Sequence, residues 1–471
     1  MLFNSLQFLL FFCSITSLYF LLAHKYRWLL LLLASCYFYM AFIPKYIIIL
    51  GFTIIIDYFA GLLIENANGK RRKIVLIISL ISNISILALF KYFNFLNMNL
   101  TEVLAAFGKN NPMPFLRIAL PIGLSFHTFQ AMSYTIEVYR GKQKAERHFG
   151  IYALYVMFYP QLVAGPIERP QNLLHQFREK HYYNADNMRR GLLQMAFGLF
   201  KKVVIADRLA IGVDYSFAHY QQQTGLSLLI ASLLYSFQIY CDFSGYSDMA
   251  IGAARCMGFK LMTNFNTPYL ARSVGEFWKR WHISLSTWFK DYLYIPLGGS
   301  RVPIPRFYLN LLIVFLISGL WHGANWTFVV WGGLNGLMVI IEHAFSTLKF
   351  NMRLPRVNGT AKKVTQILLT FLLISLVRVF FRSPEISQAG VILSKIFNLS
   401  FIDAVQSGLN TNELLFSLLL ITILILVERH WPRLQVGHVN KFAYACVFTL
   451  LLFVCYFFGV FNYKQFIYFQ F

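Results

Sequence analysis

Residues 46–64 read YIIILGFTIIIDYFAGLLI, an apolar run of 19 residues that contains one charged side chain. An α-helix of about 20 apolar residues is long enough to cross the hydrocarbon core of a bilayer. Comparable runs recur along the whole chain, at 3–22, 28–43, 74–91, 116–138, 191–211, 226–254, 308–321, 324–345, 364–381, 413–427 and 442–461. The sequence therefore predicts an all-α, polytopic membrane protein with about 11–13 hydrophobic helices.

The composition agrees with this fold class. Of the 471 residues 58% are hydrophobic and only 13% are charged, whereas about 25% are charged in soluble proteins. The net charge of +23 suggests nucleic-acid binding, but the basic residues form short clusters between apolar runs, such as Lys70–Lys73 and Arg140–Arg147. Lys and Arg in short loops mark the cytoplasmic side of a membrane protein. We therefore expect lipid around this chain and no nucleic-acid partner.

The same loops predict an orientation. With Lys70–Lys73 in the cytoplasm, loops 24–27 and 140–148 are also cytoplasmic, and residues 92–115 and the N-terminus lie outside. The first apolar run has no basic region before it and no small-residue cleavage site, so we expect a retained span. The six cysteines show no metal-ligand spacing, and we expect no metal site.

No soluble domain or repeat interrupts the pattern. We predict a single membrane-embedded domain, with N-terminal helices in 1–115, a motif-bearing core in 116–345 and C-terminal helices in 346–471. Segments 149–166 and 272–297 are too polar or too interrupted to cross as one helix. Such segments are tolerated as re-entrant or interfacial elements where protein or water covers their backbone.

His322 is the histidine that the sequence places most firmly inside the membrane, at the end of an apolar run that begins near Leu311. Imidazole can accept a proton at neutral pH, which an acceptor hydroxyl must lose in acyl transfer. On a continuous helix Ser318 and Asn325 share its face, and either can orient the ring. The competing interpretation is a packing histidine, and the GxxxG spacing of Gly319 and Gly323 indicates a close helix contact.

A second candidate segment, Glu276–His282, combines three aromatic side chains, two basic ones and a histidine. His282 can hold a donor or assist proton transfer, and the flanking candidates for substrate binding are Lys279, Arg280 and Trp281. By composition alone, anchoring at the headgroup level is the better explanation. The following basic stretch ends in Gly298-Gly299, which is a weak signal for a phosphate-bearing donor.

The segment Asp242–Asp248 interrupts an apolar run with two carboxylates that point to different helix faces. A structural role, in which one of the two carboxylates bonds Arg255 or Arg272, is favoured over paired acid–base chemistry. The sequence also has no GxSxG elbow, Walker A loop, HExxH or dinucleotide fingerprint. Direct attack of a hydroxyl on an activated thioester is therefore simpler than a covalent serine mechanism.

Six stretches in order resemble the membrane-bound O-acyltransferase family, specifically its alginate O-acetylation branch. They are Leu120–Phe126, Gln161–Ile167, Gln238–Asp248, Asn264–Leu270, Phe277–Ser286 with Trp281-His282, and Gly319–Gly323 with Trp321-His322. The resemblance implies that His322 is the essential catalytic histidine and that His282 is the second family histidine. It also implies helices around a central funnel or pore, and makes Trp321 a candidate for substrate contact.

The resemblance further implies an O-acetyltransferase of the bacterial inner membrane. It would take acetyl from acetyl-CoA or another cytoplasmic acyl thioester, with no tightly bound cofactor. The acetyl group would reach an exported polysaccharide such as alginate, through a partner acetyltransferase outside the cytoplasm. Two alternatives stay open at this point: D-alanyl transfer to teichoic acid, in another branch of the same superfamily, and a transporter or flippase with Pro and Gly breaks along its path.

Overall fold

The computed structural model describes residues 1–117, 120–347, 359–398, 400, 405–436, 440–461 and 466–467. Within these ranges the regular structure is entirely helical. Nineteen α-helices follow in chain order: α1 Leu6–Leu21, α2 His24–Met40, α3 Ile47–Asn66, α4 Gly69–Leu87, α5 Phe93–Ala106, α6 Leu124–Tyr139, α7 Phe149–Met157, α8 Pro170–Leu173, α9 Ala185–Leu199, α10 Asp207–Ala218, α11 Gly225–Cys256, α12 Val274–Arg280, α13 Ile283–Phe289, α14 Ile304–His322, α15 Trp326–Thr347, α16 Gly359–Arg382, α17 Ile386–Phe397, α18 Thr411–Val436 and α19 Lys441–Phe458.

Eight helices of the described part of the chain are long and apolar enough to cross a membrane, and α1 and α17 are shorter apolar helices. Helix α3 shows how these helices meet lipid. It exposes Ile48, Phe52 and Phe59, each by more than half, while Leu50 and Ile54 on the other face are buried. An exposed apolar face of this size is stable in hydrocarbon and not in water. The predicted fold class, an all-α polytopic membrane protein, is confirmed.

The predicted spans all coincide with helices, but several ends differ. The helix expected to stop at 91 continues through a π-helical turn, Ala88–Tyr92, as far as Ala106. The span expected at 116–138 begins only at Leu124, because Gly123 takes the left-handed conformation with φ 78°. Segment 272–297 contains only α12, α13 and a π-helical turn, Lys290–Tyr294, each too short to cross a bilayer.

The described chain divides into two compact units. Unit 1 comprises residues 1–196 and 246–262, and unit 2 comprises residues 197–245 and 263–467. Helix α11 contributes its first part to unit 2 and its last part to unit 1. The predicted division into N-terminal helices, a motif-bearing core and C-terminal helices, with bounds 1–115, 116–345 and 346–471, stays a prediction. The predicted central funnel also stays a prediction.

The predicted cytoplasmic loops of unit 1 are tied together at one end of that unit. Glu65, in the last turn of α3, forms an ion pair with Arg147. Glu146, in the same loop as Arg147, forms another with Arg178. The backbone carbonyl of Arg178 also lies 3.2 Å from His24 Nε2. These contacts place residues 24–27, 65–73 and 140–148 at one end of unit 1, which agrees with their shared basic character.

In unit 2, helices α14 and α15 pack closely against each other. Gly319 of α14 meets Gly332 of α15, and a Cβ atom on either glycine would overlap a backbone carbonyl oxygen of the other helix. Small residues at such crossings let two backbones approach closely. The GxxxG spacing therefore does mark a close helix contact, and this contact positions the end of α14.

Candidate active site

His322 is the last residue of α14, and its side chain is buried. Three aromatic rings surround its imidazole. The ring centroid of Trp331 lies 5.1 Å away and that of Phe381 5.5 Å away, both in edge-to-face geometry, and that of Trp321 lies 5.0 Å away. These rings come from α14, α15 and α16, so packing of three helices fixes the orientation of the imidazole.

His282 is also buried, but it lies on irregular backbone between α12 and α13. Its φ of 44° and ψ of 54° are left-handed, a conformation that is uncommon for a residue with a side chain. Thr267, in the preceding loop, has a similar φ of 43°. Non-glycine residues in this region cluster at functional sites because surrounding structure must hold them there.

Asn264 determines which nitrogen of His282 carries the proton. The Asn264 side-chain oxygen accepts hydrogen bonds from the Ser284 hydroxyl at 2.9 Å and the Ser284 backbone N–H at 3.3 Å. A backbone N–H can only donate, so the amide atom facing it is the oxygen. His282 Nδ1 lies 3.1 Å from that same oxygen and must donate to it. Nδ1 is therefore protonated and Nε2 is the basic nitrogen.

The indole ring of Trp321 contacts both histidines. Its centroid lies 5.0 Å from the His322 ring and 6.2 Å from the His282 ring. Phe243 covers His282 from another direction, with ring centroids 4.7 Å apart. The two imidazoles are thus parts of one buried aromatic cluster in unit 2, although they are 40 positions apart in the chain.

Trp281 belongs to a neighbouring group of rings. It is buried and packs against Phe265, Phe277 and Tyr269 at centroid distances of 5.1, 5.5 and 6.2 Å. The guanidinium of Arg378, from α16, lies 4.4 Å from its ring centroid. Trp281 therefore sits inside the protein and does not act as a headgroup anchor.

Asp242 is held by a lysine and not by an arginine. Its carboxylate accepts from Lys202 Nζ at 2.6 Å and from the backbone N–H of Ile467 at 2.7 Å. Lys202 also pairs with Asp207 at 2.9 Å. Asp242 is therefore not the carboxylate that pairs with Arg255 or Arg272, and Arg255 interacts electrostatically with Asp248, the other carboxylate of the segment. The expected structural role of Asp242 agrees with these contacts. The pairing holds α11 in place directly before Phe243.

The prediction that Ser318, His322 and Asn325 share one helix face is wrong for Asn325. Ser318 is buried on α14, but the helix ends at His322. Asn325 lies beyond this end. Its amide nitrogen donates to the carbonyl of Pro384 at 2.8 Å, and its oxygen accepts from the Thr327 backbone at 3.0 Å, beside the start of α15. Asn325 thus connects chain segments and is not on the helix that carries the imidazole.

The basic candidates of α12 lie apart from the buried cluster. Lys279 is exposed. Arg280 forms an ion pair with Glu276 at 2.6 Å and donates to the Thr267 hydroxyl at 3.1 Å. Glu276 also stands three residues after the N-cap Ser273, whose hydroxyl accepts from its backbone N–H, so local capping explains this acid.

Sequence reasoning missed several members of the cluster: Phe243, Asn264, Trp331, Arg378 and Phe381. Asn264 and Phe243 lie inside the motifs, but no spacing rule connects either of them to His282. Arg378 could have been found from the sequence, because it is a charged residue inside a predicted span and such residues are functional candidates by default. In the described parts of the chain, no group of three or more His, Cys, Asp or Glu side chains could hold a metal ion.

A model of the membrane-bound O-acyltransferase family matches residues 16–382, a range that includes both histidines and all the rings around them. The chain belongs to this family. The resemblance seen in the motifs is thereby confirmed, and the chain is a multi-pass membrane O-acyltransferase. Membership in an enzyme family also sets aside the transporter alternative.

The chain is similar in sequence to proteins that are named for different acyl-transfer activities. The probable alginate O-acetylase AlgI of Pseudomonas aeruginosa is 40% identical over 401 residues, which cover 84% of this chain and 75% of that protein. The peptidoglycan O-acetyltransferase of Helicobacter pylori is 38% identical over 414 residues, covering 82% and 76%. The teichoic acid D-alanyltransferase of Streptococcus thermophilus is 30% identical over 241 residues, covering 48% and 57%.

Proposed function

We propose that this membrane O-acyltransferase transfers an acetyl group from a cytoplasmic thioester, such as acetyl-CoA, toward an exported polysaccharide. Alginate or a similar polymer is the proposed acceptor, with a partner acetyltransferase outside the cytoplasm completing the transfer. The bacterial inner membrane, with the N-terminus outside, is the proposed location. Two named relatives that align over more than four-fifths of this chain are O-acetylases or O-acetyltransferases, which supports acetyl as the transferred group.

The observation that carries the proposal is the convergence of two imidazoles on one indole ring. His322 and His282 both contact Trp321 and both are buried. Intramembrane ionisable groups are retained mainly where they act. A base and a positioning group in one water-poor cluster are what acyl transfer to a hydroxyl requires.

In the proposed reaction His322 is the general base. It takes the proton of the acceptor hydroxyl while that oxygen forms a bond to the thioester carbonyl carbon. The C–S bond then breaks, and the thiolate leaves and regains a proton. His282, with Nδ1 fixed by Asn264, presents Nε2 as a hydrogen-bond acceptor that positions donor or acceptor. Trp281, Trp321 and Ser318 line the proposed substrate region, Lys279 and Arg280 are proposed to meet the donor, and Asp242 supports the cluster.

D-alanyl transfer is the alternative within the family. The D-alanyltransferase aligns with 48% of this chain, whereas the acetylation relatives align with more than 80%. The broader alignment favours acetyl. The two activities differ in donor, because a D-alanyl group would arrive on a different thioester, so a donor competition assay distinguishes them.

The test is a transfer assay with the purified chain in liposomes and acetyl-CoA labelled in its acetyl group. An alginate oligosaccharide serves as the acceptor, with and without extract that supplies the partner. We expect release of free thiol and label on the acceptor. Label that crosses the membrane with its thioester intact, without thiol release, would contradict acyl transfer.

Replacement of His322 tests the assigned base. His322→Ala should lower the transfer rate at least about a hundredfold, because general base catalysis typically contributes that much. The matched control is His343→Ala on the neighbouring helix α15, whose imidazole contacts Phe307 and Tyr308 outside the cluster. Retention of more than about a tenth of the wild-type rate in His322→Ala removes His322 from this role.

A further inference from the structure

A buried arginine of unit 2 contacts the ring of Trp281, the residue directly before His282. Arg378 is on α16, inside a helix long and apolar enough to cross the membrane, and its side chain is only 3% exposed. A guanidinium remains charged in proteins at any ordinary pH. Placing a permanent cation in such surroundings is unfavourable unless an anion or another strong partner compensates for it.

The contacts of Arg378 are mostly aromatic. Its guanidinium carbon lies 4.4 Å from the ring centroid of Trp281 and 5.4 Å from those of Phe277 and Tyr269. One nitrogen donates to the Tyr269 hydroxyl at 2.6 Å, and that hydroxyl in turn donates to the backbone carbonyl of Ser236. Ring faces attract a cation without neutralising it. The positive charge therefore remains available to an anion.

The next arginine on the same helix shows the contrast. Arg382, one turn later, forms an ion pair with Asp214 at 2.9 Å. Among the residues that the structure describes, Arg378 has no carboxylate within ion-pair distance. Of its five N–H groups, the hydrogen bonds described within the chain use one. A guanidinium with donors to spare and no counter-ion is suited to receive a negatively charged oxygen.

The position of Arg378 connects it to the proposed chemistry. Trp281, its nearest ring, directly precedes His282 in the chain. Phe381 lies one helical turn after Arg378, and its ring centroid is 5.5 Å from that of His322. Trp281 also packs against Phe265, which packs against Phe243, the ring that covers His282. Packed rings therefore connect the cation to both imidazoles.

We propose that Arg378 is an oxyanion-stabilising residue of the transfer reaction. This inference rests on the proposed function. When the acceptor oxygen bonds to the thioester carbonyl carbon, the carbonyl π electrons move to its oxygen, which becomes negative until the C–S bond breaks. A fixed cation in a water-poor site stabilises that charge most strongly in the transition state. Full burial favours a small anion over the phosphates of a donor, which need a site open to solvent.

The test compares kcat and KM in full-length variants in liposomes, with acetyl-CoA as the varied substrate. Arg378→Met retains length and loses charge, and it should lower kcat at least about a hundredfold with KM changed less than about threefold. Arg378→Lys retains the charge without the planar fork and should lose less. The matched control is Arg382→Met, on the same helix, which should retain kcat within about threefold.

A chemical rescue distinguishes this role from a structural one. Guanidinium added at millimolar concentration should restore part of the rate of Arg378→Ala, and methylammonium should restore less. Unchanged kcat in Arg378→Met, a raised KM with normal kcat, or a loss of rate with no rescue in a folded Arg378→Ala each overturns the proposal. If the wild-type chain itself releases no thiol from acetyl-CoA, the proposed function fails, and the role of Arg378 fails with it.

Discussion

The Nδ1 atom of His282 lies 3.1 Å from the side-chain oxygen of Asn264. This contact joins two residues that are 18 positions apart and fixes the tautomer of the imidazole. Because the same oxygen accepts two hydrogen bonds from Ser284, the amide cannot turn without losing all of these contacts. Asn264 is thus a positioning residue for His282.

Asn264→Ala should lower the transfer rate by roughly tenfold to a hundredfold, as loss of an orienting partner does elsewhere. The physical reason is that His282 can then rotate or take the other tautomer. The rate of acetyl transfer and its pH profile provide the measurement. Asn266→Ala is the matched control, since Asn266 is exposed in the same loop. An unaltered rate and profile in Asn264→Ala would show that the tautomer of His282 is irrelevant to transfer.

Gly332→Ala should destabilise the protein and lower activity. A Cβ atom there would overlap the Phe315 carbonyl, so α14 and α15 must separate and His322 must move. Overpacking of this kind typically lowers the free energy of unfolding by about 1–3 kcal/mol.

Gly333→Ala is the control for this prediction, because its added Cβ would make only an ordinary contact, 3.4 Å from a Leu316 methyl group. Thermal unfolding in detergent and the transfer rate are compared for the two variants. Equal melting temperatures for Gly332→Ala and Gly333→Ala would mean that the close helix crossing does not limit stability.

We expect replacement of the buried Glu168 to raise the stability of the folded protein, by an amount that depends on pH. Burial raises the pKa of this carboxyl from 4.5 to about 7, although the Met262 backbone N–H, Asn172 and Arg169 lower it in part. Below pH 4.5 the acid is protonated in both the folded and unfolded states and has no effect. Between pH 4.5 and about 7 only the unfolded state ionises, so the folded state becomes progressively less stable by comparison.

Glu168→Gln removes this ionisation and should therefore melt at a higher temperature than wild type, by a margin that grows from pH 5 to pH 7.5 and then levels off. Melting curves in detergent across this range provide the measurement. Glu385→Gln, at an exposed acid, is the matched control. A constant difference at all pH values would contradict the prediction for Glu168.

The loops of unit 1 predict a labelling pattern. Single cysteines at Lys70 and Lys144 should react with an impermeant thiol reagent only from the cytoplasm, and a cysteine at Lys109 only from outside. The experiment uses a chain whose exposed Cys13 and Cys446 are replaced by serine. Labelling of positions 70 and 144 from opposite sides would contradict the ion pairs that connect their loops, and external labelling of both would invert the orientation.

Hydropathy and local motifs predicted the helices and the burial of His322, because both are properties of short segments. They did not predict the end of α14 at His322, which moves Asn325 off its face. That end depends on Gly323 packing against Phe328 of the next helix. The partners of His282 and Asp242 were also missed, since Asn264 and Lys202 reach them through tertiary packing that no spacing rule encodes.

The buried carboxylate of Asp242 accepts its hydrogen bond from a residue 225 positions later, Ile467. Similarly, the backbone N–H of Val460 donates to the carbonyl of Val203. When the ribosome is still translating α15, Lys202 and Asp242 have already been synthesised. Ile467, which donates a hydrogen bond to Asp242, has not. The hydrogen bonding of Asp242 is therefore complete only after synthesis has passed residue 467, and a chain that ends earlier lacks the backbone N–H that this buried carboxylate accepts from.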